Sequence, residues 1–150
     1  MDENLLWDIR AFVYRHFAET TRPPSVEETA AQFSLTREEA AAAYNELNRR
    51  HAFFLQPGTH DIAMAWPFSA STTPFKVHAN AKTYFANCAW DALGIPAALG
   101  HPGVVETHCA DCNESLVVEV DADGGTDVQT WTVMQVGVPA RDFWKDIYFT

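Results

Sequence analysis

The sequence predicts an α+β protein: a three-helix lobe with a hairpin, packed on a Cys-bearing helix and a mostly antiparallel sheet. Two observations lead there. The first half carries apolar residues at three- and four-residue steps between helix-capping signals. The second half ends in short β-branched runs separated by turn residues.

Leu5, Leu6, Ile9, Phe12, Val13 and Phe17 form one apolar stripe and predict a helix over residues 4–20. Pro23 and Pro24 stop it. Ser25 with Glu28 opens a second, short helix through Phe33, and Thr36 with Glu39 opens a third over about Arg37 to Arg50. Phe53-Phe54-Leu55 and Ile62 to Trp66 read as two strands around the turn Pro57 to Asp61. Three helices and then a hairpin is the order of a winged helix. Ser69 to Pro74 is a polar link, which divides the chain into a winged-helix-like lobe (1–70) and a core (71–150). Residues 79–93 read as a helix with Tyr84, Phe85, Cys88 and Ala92 near one face, ended by Gly94 and Pro96. Val104 to Glu106, Leu116 to Val120, Val128 to Val138 and Ile147 to Phe149 complete the expected strands.

Charge and composition exclude several roles. With 47% apolar residues the chain is no disordered tail. No apolar run reaches the roughly 20 residues that span a bilayer, so no membrane is expected. Met1-Asp2-Glu3-Asn4 lacks a signal-peptide pattern, and the expected location is cytoplasmic. The net charge is −10. Residues 1–75 hold six basic and ten acidic side chains, a net of −4. That balance disfavours nucleic acid as a partner, because DNA affinity rests on neutralising phosphates. Three cysteines cannot complete a disulfide framework and read as thiols for packing, metal or chemistry.

Two clusters could carry chemistry. On a helix, Cys88 and Asp91 share a side, joining a soft nucleophile to a carboxyl that can move a proton. The same residues would be ordinary as a small buried side chain and a solvated acid. His108-Cys109-Ala110-Asp111-Cys112 places two thiols at a spacing that grips a metal or forms a redox pair, with plain packing as the alternative.

The run Tyr84-Phe85-Ala86-Asn87-Cys88-Ala89-Trp90-Asp91-Ala92-Leu93-Gly94-Ile95-Pro96-Ala97-Ala98-Leu99-Gly100, continued by Val105-Glu106-Thr107-His108-Cys109, resembles the alkylmercury (organomercurial) lyase family. The resemblance implies that Cys88 is a catalytic thiolate and Asp91 the proton donor or acceptor. It implies that Cys109 is mainly structural, and that a C-terminal segment supplies a second catalytic cysteine. The corresponding segment here is Phe143 to Phe149, and Trp144 or Lys145 stands where that cysteine would be. Cys109 and Cys112 are then accessory thiols, and Cys88, Asp91 and Cys112 are candidate metal ligands. Trp90, Trp144 and Tyr148 are candidates for an apolar pocket, although aromatic residues more often serve a core.

The implied reaction is protonolysis of a carbon–mercury bond in a small organometallic or organic substrate, assisted by cellular thiols. No cofactor is required, and Hg(II) or another soft metal is a substrate or product ligand. A soft-metal or small-ligand binding protein without turnover, and a ligand-sensing winged-helix regulator, are the alternatives.

Overall fold

The computed structural model describes residues 2–128 and 132–147. Helix α1 (Glu3–Thr20) starts at Asp2, whose carboxylate accepts a hydrogen bond from the Leu5 amide at 3.3 Å. Its stripe of Leu6, Ile9, Val13 and Phe17 is buried. Both expected capping boxes are formed. In α2 (Val26–Phe33), Glu28 N–H donates to Ser25 Oγ at 3.1 Å and Ser25 N–H donates to Glu28 Oε2 at 2.8 Å. Thr36 and Glu39 repeat the pattern at the start of α3 (Arg37–Arg49). Tyr44 of α3 is fully buried, and its hydroxyl lies 2.6 Å from Thr29 Oγ1 and donates to the Pro24 carbonyl.

Among the described residues one antiparallel sheet follows. Its strands are β1 (Phe54–Leu55), β2 (Ile62–Ala65), β3 (Phe68–Ser69), β4 (Lys76–Ala79), β5 (Lys82–Ala86), β6 (Gly103–His108) and β7 (Ser115–Val120). Their spatial order is β1-β2-β3-β5-β4-β6-β7. Strand β3, which contains Ser69 of the expected link, pairs with β5 through Phe68↔Ala86 and Ser69↔Phe85. Residues before and after the link therefore build the same sheet.

Three expectations for the second half are corrected. Residues 79–93 are not one helix. They form the end of β4, a tight turn, β5 and the start of α4 (Ala89–Leu99). The turn uses Asn80 and Ala81, both at positive φ (48° and 58°). A two-residue hairpin needs this geometry, and an alanine does not advertise it. Tyr84 and Ala86 are buried while Thr83 is exposed, a period of two that overlaps the helical spacing read from the sequence.

Helix α4 also continues through Gly94 and Pro96 and ends at Gly100 (φ 64°). Pro96 lacks an N–H for the helix ladder, but it is buried and lies against Gly103, the first residue of β6. Finally, the expected strand Val128 to Val138 is absent among its described residues, 128 and 132–138. Ile147 lies in a turn, and Tyr148 and Phe149 fall outside the described residues.

One face of the sheet is apolar. Val77, Ala79, Tyr84, Ala86 and Val105 are buried there, beneath α4, which contributes Ala92 and Ile95. The Tyr84 hydroxyl donates to the Ala18 carbonyl at 2.7 Å and ties β5 to α1. The opposite face presents Lys76, His78 and Glu106, with His78 Nε2 3.3 Å from Glu106 Oε2.

Candidate active site at the start of helix α4

Strand β5 ends at Ala86, and two residues later the chain turns into α4. Cys88 is the N-cap residue of that helix, in extended conformation (φ −149°, ψ 179°). It thus precedes the helix rather than lying on its face. The pair nevertheless converges, because Asp91 occupies the third helical position and its side chain can fold back over the N-terminus.

Asp91 is buried, only 9% exposed. Burial raises its pKa above the usual carboxylate value; hydrogen bonds from Asn87 and the Cys88 thiol act in the opposite direction. The Cys88 thiol, half-buried, is also pushed up, first by burial and further by the Asp91 charge. The amides of Asp91 and Trp90 pull it down, since unpaired helix N–H groups favour a thiolate. These opposing influences describe a thiol and a carboxyl in one partly dry site. A charge on Asp91 disfavours a second negative charge on the Cys88 sulfur.

Sequence reasoning missed Asn87. Its Nδ2 donates to Asp91 Oδ2 at 3.1 Å and to the Phe68 carbonyl at 3.3 Å. Anchored to β3 in this way, Asn87 orients the carboxylate from the β5–α4 junction. Asn87 lies inside the motif quoted above, but a single amide has no spacing signal. Tyr14 of α1 was also unremarked. It is close enough for the Asp91 charge to raise its pKa, although burial is the larger cause. Arg10 stands over the Tyr14 ring at 4.7 Å.

The other candidate residues are dispersed. Trp90 is 71% exposed. Trp144 stacks on His51 at 4.5 Å between ring centroids and meets Trp66 edge-on at 5.1 Å. It belongs to an aromatic cluster on the β1–β2 hairpin, and among the described residues no ring contact links it to Trp90. Tyr148 lies outside the described residues. Cys109 and Cys112 sit in the β6–β7 hairpin, at the same end of the sheet as Cys88 but with β4 between. Two strand spacings are about 10 Å. Among the described residues no three of His, Cys, Asp and Glu gather as a metal site, so Cys88, Asp91 and Cys112 are not assembled as a ligand set.

The guanidinium groups on α3 and at its C-cap face carboxylates. Arg37 meets Glu27 at 2.7 Å, Arg49 meets Glu46 at 2.7 Å, and Arg50 meets Glu3 and Glu46 at 2.6 Å. None of the described helices is long and apolar enough to cross a membrane.

The alkylmercury lyase family model matches residues 68–149. Among solved structures, the crystal structure of the mercury-bound form of MerB2 is similar, with a TM-score of 0.66 and 18% identity. The match covers 87% of this chain and 61% of that one, so the chain spans less than two thirds of that relative. At this identity the likeness speaks for the fold. No curated protein matches the chain.

Proposed function

Because the chain belongs to the alkylmercury lyase family, we propose that it cleaves a carbon–mercury bond by protonolysis at Cys88 and Asp91. The observation that carries this reading is the buried Asp91 carboxyl held beside a thiol at the start of α4, with Asn87 fixing its orientation.

Cys88 binds the soft mercury of R–Hg⁺ and passes its thiol proton to the Asp91 carboxylate. The raised pKa of Asp91 lets it hold that proton in the dry site. Asp91 then protonates the carbon as the carbon–mercury bond breaks, and its electron pair goes to the new C–H bond. A hydrocarbon leaves. Hg(II) stays on the Cys88 sulfur, with the Asp91 carboxylate regenerated. A cellular thiol takes the role of the second thiolate, because Trp144 on its aromatic cluster supplies no sulfur. Thiols stay reduced in the cytoplasm, where the reading places the reaction. The paired guanidiniums of α3 support a packing role for the N-terminal lobe rather than nucleic-acid binding.

The test is anaerobic incubation with phenylmercury acetate and excess thiol, following benzene by gas chromatography. The chain is expected to release benzene above the thiol-only control. Cys88→Ser should fall to that control, and Asp91→Asn should lose on the order of 10²-fold or more. No benzene above control, or release untouched by Cys88→Ser, refutes the proposal. Hg(II) binding that is lost in Cys88→Ser, with no benzene, would instead favour the binding protein.

A further inference from the structure

The β6–β7 hairpin holds two thiols that the reaction above does not use. Its ladder continues one pair past β6 and β7, with Cys109 N–H donating to the Glu114 carbonyl at 2.8 Å. Asn113 N–H donates to the Cys109 carbonyl at 2.9 Å, closing one helical turn over residues 109–113. Asn113 adopts φ 59° and returns the chain into β7. Within such a turn, residues three apart lie on one side, so Cys109 and Cys112 project together. Neither is buried, and Cys112 is exposed. The amides of Cys112 and Asp111 and the Cys112 thiol all lie within hydrogen-bonding reach of the Cys109 sulfur, so the two thiols face one point.

We propose that Cys109 and Cys112 form a two-thiolate site for a soft cation such as Hg(II) or Cu(I), separate from the Cys88–Asp91 pair. The donor set selects the ion. Structural zinc needs four ligands, and among the described residues no third His, Cys, Asp or Glu joins this pair. A soft closed-shell ion that accepts two sulfurs in line needs no more. Asp111 and Glu114 flank the thiols in an exposed loop, and the chain's net charge of −10 attracts a cation. Binding is balanced without an oxidant: the metal forms two M–S bonds, and each thiol still protonated releases its proton to solvent.

The site stands independently of the lyase reading, and its test uses Hg(II) alone in a Cys88→Ser background. The reduced chain is loaded anaerobically, challenged with excess glutathione, desalted and assayed for mercury. The expected result is one equivalent retained, with sulfur-to-mercury charge-transfer absorption in the ultraviolet. Adding Cys112→Ser or, separately, Cys109→Ser should abolish retention, because a single thiol cannot outcompete excess monothiol. Far-UV circular dichroism would check that each variant is folded. Retention unchanged by either substitution overturns the site. Loss of mercury from the reduced chain, together with a Cys109–Cys112 disulfide in air, overturns it in favour of a redox pair.

Discussion

Gly103 sets the distance between α4 and the sheet, and so the seat of Cys88 and Asp91. It pairs with Ala79 at the start of β6 and faces Pro96. A Cβ there would lie 2.8 Å from the His78 carbonyl oxygen, 3.1 Å from Ala79 Cβ and 3.1 Å from Pro96 Cγ. The nearest of these atoms is backbone within β4, so it cannot swing aside as a side chain tip would. Gly103→Ala must push β4, β6 and α4 apart, an overpacking cost of about 1–3 kcal/mol.

Gly94→Ala is the matched control. It lies inside the same helix, but its nearest new contact is Pro67 Cβ at an ordinary 3.7 Å. Replacing a helical glycine should stabilise by about 0.5–1 kcal/mol. Urea unfolding followed by circular dichroism should therefore move the two midpoints in opposite directions with an unchanged slope. In a chain of this length, each kcal/mol corresponds to about 2–4 °C in Tm. A Gly103→Ala midpoint at or above that of the parent chain would refute the close-packing argument.

Three further outcomes concern hydroxyl and thiol groups. Tyr44→Phe leaves Thr29 Oγ1 without its 2.6 Å partner and frees the Pro24 carbonyl, so unfolding should show a loss of about 1–3 kcal/mol. Iodoacetamide labelling mapped by mass spectrometry should modify Cys109 at lower pH than Cys88, because amides stabilise the first thiolate while burial opposes the second. The Asp91 charge raises the Cys88 pKa, so Asp91→Asn should lower it and speed Cys88 labelling near neutral pH. Equal pH profiles for the two thiols would contradict these assignments.

Much of the N-terminal half was legible because its signals are local. A capping box is complete within four residues, and both, at Ser25–Glu28 and Thr36–Glu39, are legible in the sequence. The α1 stripe was equally plain, since burial of Leu6, Ile9, Val13 and Phe17 follows from helical periodicity and apolarity alone. The candidate site was legible in its chemistry: a thiol three residues before a carboxyl, within a run that resembles one family.

The same local reading failed for residues 79–93. Tyr84, Phe85, Cys88 and Ala92 fit a helical period, yet β5 satisfies its backbone through β3 and β4. Asn80 and Ala81 at positive φ, and Pro96 inside a helix, are choices that no neighbour in the chain announces. The sequence alone determined which residues bring sulfur and carboxyl groups to the start of α4. Tertiary structure decided that Cys88 caps the helix, that Asn87 reaches both Phe68 and Asp91, and that Cys112 stands across β4 from Cys88. The physical reason is that a strand's hydrogen bonds and a carboxylate's burial depend on partners remote in the chain, whereas a cap or an apolar stripe carries its partners within a few residues.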